Sequence, residues 1–354
     1  MAKKKITETE DTKEKVVPDI SKEIISTYGE DIMIDASAII DQDSVIIPVS
    51  PAMDLGLSGG IPEGSWVTFT GRAKCGKTTA CLHIAAKCQK PEFGSREIYY
   101  LNIEGRLKKM NLLGVKGLDL KKMHIISSQQ GNILSAESFL AIAEKIATTI
   151  PGSVIIIDSY SALCTENEIT KGMDEQQRTD GQKLLAKFCR RMANVVPVNK
   201  NIIMGITHLM GNPSGYGAAE KEKGGFAIAY QADVKLRATG LEKLVDKGGR
   251  QYGQKVEWLV EVSALGPPGA KVSGTIRYGI GIDETSELLD LCIELGLIEA
   301  KGAWYNINPD MVKLEQKDKE LKFQGKENLY QFVDKNFNIS NLLSKTLKEL
   351  LYGV

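Results

Sequence analysis

The sequence predicts an α/β fold in which a mostly parallel, twisted sheet is flanked by helices. Three observations predict it. From Trp66 onward, apolar strand-like stretches alternate with amphipathic helical ones. Residues 154–157 and 202–206 are unbroken apolar runs, the pattern of central parallel strands buried on both faces. A glycine-containing turn at residues 71–78 lies between a strand pattern and a helix pattern.

The elements follow in order. Residues 19–28 read as a short helix that puts Ile20, Ile24 and Tyr28 on one face, with Asp19 or Ser21 as cap and Gly29 as stop. Residues 32–40 are apolar and partly alternating, which predicts a strand. One helix and one strand cannot bury themselves, so this segment is expected to pack on something else. Next come a strand over 67–70, a helix over 77–88, strands over 98–102 and 123–127, and a helix over 136–148. Phe139, Ile142, Ala143 and Ile146 share one side of that last helix. Strand 154–157, helix 178–194 and strand 202–206 complete the alternation; Leu184, Leu185, Phe188 and Met192 form the helix's stripe. Beyond residue 226 the pattern turns antiparallel, over 232–237, 256–262 and 274–278. A helix over 286–296, ended by Gly296, belongs to a small α/β C-terminal domain that starts near residue 284. The expected division is an N-terminal tail and helix-strand arm (1–44), a core (45–283) and the C-terminal domain (284–354).

Composition narrows the function. Of the 354 residues, 42% are hydrophobic and 25% charged, as in ordinary globular proteins. No apolar run approaches the roughly 18 residues of a membrane helix, so no membrane partner is expected. Residues 1–17 are rich in Lys, Glu and Thr and lack an apolar core, so they read as a solvated tail and not a secretory signal. The 45 basic and 45 acidic residues cancel, which argues against a general polycation but leaves room for a local nucleic-acid groove. The six cysteines show neither a CxxC pair nor metal-ligand spacing, and a reducing, cytoplasmic location is expected.

Gly71, Arg72, Ala73, Lys74, Cys75, Gly76, Lys77 and Thr78 fit the phosphate-loop pattern of glycine, any four residues, glycine, lysine, then serine or threonine. The glycines let backbone N–H groups turn inward around phosphate oxygens, and the helix start adds unsatisfied donors and partial positive charge. Lys77 is expected on the β- and γ-phosphates of ATP, Thr78 on Mg²⁺, and Thr79 in the same nucleotide-binding turn. Residues 154–157 end in Asp158, a carboxylate at the strand end where open α/β sheets bind ligands. Beside the loop, it is expected to hold the Mg²⁺ shell. Glu104 ends the strand that contains Tyr99 and Tyr100. The pattern leaves it open between a base for the attacking water and a turn residue.

These residues resemble the RecA family of strand-exchange proteins, bacterial and phage. The likeness begins at Tyr28-Gly29 with Ile32-Met33 and continues from Met53-Asp54-Leu55-Gly56-Leu57 to Gly59-Gly60-Ile61-Pro62-Glu63-Gly64, just ahead of the loop. It runs on through Ile157-Asp158-Ser159 with Ser161-Ala162-Leu163, and through Gly224-Gly225 to Arg237. In the C-terminal domain it rests on Leu288-Leu289-Asp290-Leu291, Gly302-Ala303-Trp304-Tyr305 and Gly325-Lys326-Glu327-Asn328. The resemblance implies a RecA-type ATPase core and a DNA-dependent ATPase that forms helical filaments on single-stranded DNA. Such a filament pairs its strand with homologous duplex DNA in recombination and repair, with ATP bound between subunits. It implies an arm that docks on the neighbouring copy, a catalytic role for Glu104 with Lys77 and His208, and mediator and single-strand-binding proteins as partners.

Two loops would line the filament axis, over roughly 164–177 and 208–224. DNA contacts are expected from Lys171, Gly172, Met173, Met210, Gly211, Asn212, Tyr216, Lys221, Lys223, Gly224 and Gly225. The residues themselves are compatible: residues 209–225 read as a polar, glycine-rich, structureless loop with backbone N–H groups, two lysines and an aromatic. A mobile surface loop is the other reading. His208 is either a γ-phosphate sensor or a structural histidine. The chain departs from the family where Val262, Ser263 and Ala264 stand in place of two basic residues that reach the neighbour's ATP; nearby Lys271 is a candidate substitute. No aromatic between Arg106 and Asn111 matches the one that flanks adenine. A RecA-like paralogue that binds ATP and regulates or scaffolds a recombinase is therefore the rival reading.

Overall fold

The computed structural model describes residues 20–40, 44–170, 180–211, 220–223, 226–314 and 321–352. Its backbone contacts divide the chain into two compact units, residues 1–44 and 45–354. In the first, helix Ile20–Tyr28 forms as expected and Gly29 ends it at φ +105°, an angle glycine tolerates. The strand expected over 32–40 does not form. A 3-10 turn, Glu30–Ile32, and a short helix, Ala36–Ile40, stand in its place. A strand must pair its backbone with another strand, whereas local bonds such as Ala38 N–H to Asp35 C=O (3.0 Å) need no partner.

The second unit is organised by a ten-stranded sheet. Its strands are β1 (Trp66–Gly71), β2 (Ile98–Asn102), β3 (Met123–Ile126), β4 (Val154–Asp158), β5 (Ile202–Gly211), β6 (Glu220–Lys223), β7 (Val234–Val245), β8 (Gln251–Val262), β9 (Lys271–Arg277) and β10 (Gly281–Ile282). The order is β10-β9-β8-β7-β1-β5-β4-β2-β3, with β6 paired to β5. Pairing is parallel from β7 through β1 to β3 and antiparallel from β7 to β10. The sheet is thus mixed, as the change of pattern beyond residue 226 implies.

Alternation along the central strands fills both faces. Val154 and Ile156 enter one apolar layer, Ile155 and Ile157 the other, and all four are fully buried. Helix Lys77–Cys88 covers the first layer through Ala80, Cys81, Ile84 and Ala85. Helices Ala136–Thr149 and Asp180–Met192 cover the second through Phe139, Ala143, Leu185 and Phe188. A third apolar cluster joins helix Glu284–Glu294 to β11 (Ile298–Lys301), β12 (Trp304–Ile307) and the helices Lys326–Lys335 and Phe337–Tyr352. Among the described residues, no helix is long and apolar enough to cross a membrane.

One close approach positions the segment after Asp158. Gly205 of β5 lies against the Tyr160 ring, and a Cβ there would overlap it. The Tyr160 hydroxyl accepts a hydrogen bond from the Trp66 indole N–H (3.1 Å), so the ring has little room to retreat. Gly205→Ala should therefore destabilise the protein by about 1–3 kcal/mol, the usual range for overpacking. A urea-unfolding midpoint equal to that of the wild type would show that the ring can move aside.

Candidate active site

The parallel strands end along one edge, and their register decides which side chains meet there. Gly71 of β1 lies opposite His208 of β5, and Asn102 of β2 opposite Asp158 of β4. Between β1 and helix Lys77–Cys88 runs the turn that the sequence marked. Gly76 has φ +92°, a backbone conformation that calls for glycine, and a Cβ on it would also press on the tip of the Ile276 side chain. Arg72, Ala73 and Lys74 are exposed at the tip, while Cys75 is buried. The Gln254 side chain donates to the Lys74 carbonyl at 3.3 Å. Lys77 is buried, and its Nζ donates to the carbonyls of Gly71 (2.8 Å) and Arg72 (2.7 Å). The ammonium is thus held by the loop backbone next to the amides of the helix start. Thr79 follows Thr78 on the helix and is half-buried.

Thr78 and Asp158 come together: Thr78 Oγ1 donates to Asp158 Oδ2 at 2.9 Å. The Tyr100 hydroxyl donates to the same oxygen at 2.5 Å. Burial raises the Asp158 pKa, and Glu104 adds to the rise. The bonds from Tyr100 and Thr78 only partly offset it. Tyr100 is itself pushed up, by burial and then by the charge of Asp158, so its hydroxyl stays a donor.

Glu104 and His208 form the second pair. Glu104 Oε1 accepts from Ser159 Oγ at 2.7 Å and lies 2.6 Å from His208 Nε2, while Arg106 Nη1 is 3.8 Å from Oε2. Burial opposes ionisation of Glu104. The hydrogen bonds from Ser159 and His208, with the charges of His208 and Arg106, outweigh it and hold the carboxyl below its ordinary value. The His208 backbone N–H donates to Ser161 Oγ at 2.9 Å, which anchors the histidine to the segment after Asp158.

Past His208 the structure corrects the sequence reading. Residues 209–225 were expected to be structureless, but β5 continues through Gly211 and β6 folds back antiparallel on it. His208 pairs with Lys223, and Met210 with Lys221. Backbone amides that leave a sheet edge still need partners, and this hairpin supplies them. Met210 and Gly211 are exposed at the end of β5 that leads into residues 212–219. Lys235 of β7 reaches Glu222 of β6 (2.6 Å) and Glu261 of β8 (2.9 Å), which ties the hairpin to the main sheet. Lys221 and Lys223 lie on β6. Lys171, Gly172, Met173, Asn212, Tyr216, Gly224 and Gly225 lie outside the described residues. Val262 ends β8, and the ammonium of Lys271 is 3.7 Å from Glu257.

Sequence reasoning assigned no role to Tyr100, Ser159, Ser161 or Gln254. Both serines stand inside the motif around Asp158, which was a usable signal. Tyr100 gave none beyond a hydroxyl in an otherwise apolar strand, next to a second tyrosine.

The family model described as the RecA N-terminal domain matches residues 15–283 of the chain. Protein RecA of Oleidesulfovibrio alaskensis is 28% identical over 328 residues, covering 92% of this chain and 88% of that protein. Protein RecA of Campylobacter jejuni subsp. doylei is 28% identical over 345 residues, covering 96% and 94%. Protein RecA of Acholeplasma laidlawii is 28% identical over 336 residues, covering 92% and 94%.

The Glu104–His208 contact has a direct titration test. A carboxyl with a depressed pKa contributes stability that is present above the ordinary glutamate range and lost as pH falls through the folded value. In His208→Ala, one hydrogen bond and one charge that favour ionisation are gone. The Glu104 pKa, followed by NMR of its side-chain carboxyl carbon, should rise. An unchanged value would show that Ser159 and Arg106 set it without His208.

Proposed function

Since the chain belongs to the RecA family, we propose that it is an ATP-dependent recombinase that assembles as a helical filament on single-stranded DNA and pairs it with homologous duplex. The observation that carries this reading is the meeting of two pairs, Thr78 with Asp158 and Glu104 with His208, at one strand edge beside the loop that holds Lys77. A simple nucleotide-binding site needs the first pair. The second adds a base and a group joined to it that continues into the β5–β6 hairpin.

The donor set fits the expected metal. Thr78 and Asp158 offer hard oxygen ligands within hydrogen-bonding distance of each other, which suits Mg²⁺ beside a nucleotide. Bound there, Mg²⁺ would neutralise charge on the β- and γ-phosphates. The amides from Gly71 to Thr79 cradle the phosphates, and Lys77 exchanges its carbonyl partners for phosphate oxygens. Glu104 orients the attacking water and takes its proton as the water oxygen bonds to the γ-phosphorus and ADP departs. His208 reads the γ-phosphate through Glu104 and passes its state to the hairpin. Met210, Gly211, Lys221 and Lys223, with Lys171, Gly172, Met173, Asn212, Tyr216, Gly224 and Gly225, form the DNA-contacting set. Residues 1–44 act as the arm that docks on a neighbouring copy, residues 45–283 as the ATPase core and residues 284–354 as a C-terminal domain. The arm's helix has no buried residue, and its Ile20 and Tyr28 are exposed, as an unsatisfied docking helix requires.

One observation favours a second reading. Val262, Ser263 and Ala264 bring no cation to the place where family members reach the neighbour's ATP, which suits a paralogue that regulates a recombinase without exchanging strands.

Electron microscopy with single-stranded DNA and a slowly hydrolysed ATP analogue separates the two. The recombinase reading expects helical filaments; their absence with both ATP analogue and ADP favours the paralogue. Two variants test the chemistry. Lys77→Ala should lose about 10²- to 10³-fold in ATP turnover, as for removal of one charge-stabilising donor. Glu104→Gln should form filaments that persist while hydrolysis falls. Normal turnover in Lys77→Ala would remove the loop from the active site.

A further inference from the structure

Tyr100 sits on β2 with 1% of its surface exposed, its ring inside the apolar layer beneath helix Lys77–Cys88. A phenylalanine would fill that space equally well. A buried hydroxyl is costly unless it is hydrogen-bonded. The partner here is Asp158 Oδ2, at 2.5 Å. Thr78 Oγ1 donates to the same oxygen from the opposite strand-to-helix turn, at 2.9 Å. Two hydroxyls from different elements therefore converge on one carboxylate oxygen. Thr78 stands in the phosphate loop, and its hydroxyl is the one the nucleotide site would recruit. Tyr100 belongs to the rigid sheet, and its hydroxyl has no such second task.

The geometry points to Tyr100 as a positioning residue for the metal site: it holds the Asp158 carboxylate in place and sets the affinity for Mg²⁺ without touching the ion. This deepens the proposed ATPase reading and rests on it. Ligating carboxylates are commonly oriented by a hydrogen bond from behind, and loss of such a partner typically costs about 10- to 100-fold in metal affinity. Tyr99, its neighbour, is the natural control. It points to the other side of the strand, stacked on His124 with ring centroids 4.9 Å apart.

The experiment is a Mg²⁺ titration of a fluorescent, non-hydrolysable ATP analogue bound to the full chain, for wild type, Tyr100→Phe and Tyr99→Phe. In Tyr100→Phe the Mg²⁺ midpoint should rise about 10- to 100-fold, while analogue binding in EDTA stays as in the wild type. Tyr99→Phe should keep the wild-type midpoint. Thermal unfolding of each variant separates a lost fold from a lost hydrogen bond, and a folded Tyr100→Phe with the wild-type midpoint overturns the positioning role alone. A rise of equal size in Tyr99→Phe also overturns it, as a general effect of the strand. Wild-type binding that ignores Mg²⁺ overturns both this role and the ATPase reading beneath it.

Discussion

The parallel register of β1 with β5 and of β2 with β4 is the constraint on which the remaining geometry depends. It puts Gly71 opposite His208 and Asn102 opposite Asp158, so the turns that follow these strands emerge side by side. A slip of one residue would send every side chain of a strand to the other face. Both faces of these strands are buried in apolar layers, so a slip toward the core would leave the apolar side chains covered but would carry the Asp158 carboxylate inward, where an unpaired charge is costly, and away from Asn102. Val154 pairs with Ile202 and Ile156 with Met204, and in this register Thr78 meets Asp158 and Glu104 meets His208.

From that edge a continuous path leads away from the loop. Glu104 contacts His208, whose backbone bonds to Ser161 and whose strand carries the β5–β6 hairpin. Lys235 bridges Glu222 on the hairpin and Glu261 on β8. Each link is a short polar contact or a ladder of backbone bonds, and the path starts at the group proposed to meet the γ-phosphate. A change in the hydrogen bonding of His208 therefore acts on the same strand whose far end carries Met210 and Gly211. This is the physical basis for the proposed coupling between nucleotide and DNA.

Much of this architecture is legible in the sequence alone. The turn at residues 71–78 was readable as a strand-to-helix connection because its pattern is local: glycines, a lysine and a threonine at fixed spacing between a strand and a helix. Asp158 was readable because an unbroken apolar run ends in a carboxylate. The sequence also placed the main core elements close to their observed positions, since each is amphipathic or wholly apolar in its own right. What depends on pairing at a distance was not readable. Residues 32–40 have a strand-like pattern, yet among the described residues no strand pairs with them, and they lie in a 3-10 turn and a short helix. Residues 220–223, a charged Glu-Lys-Glu-Lys run, have no apolar alternation and still form a strand, because β5 offers them an edge. Tyr100 was invisible as a functional group, since only the fold brings its hydroxyl to Asp158.

The γ-phosphate of the nucleotide, read by His208, is proposed to set the shape of the hairpin and with it the grip on DNA. Linked binding must be reciprocal, so a nucleotide that favours the DNA-binding shape must bind more tightly when DNA is present. The direct measurement is fluorescence anisotropy of a labelled single-stranded oligonucleotide, with an ATP analogue and with ADP, for the wild type and His208→Ala. Tighter binding with the ATP analogue in the wild type, and a difference that shrinks in His208→Ala, is the predicted result. Equal affinity with both nucleotides in the wild type would contradict it, and an undiminished difference in His208→Ala would move the switch away from His208.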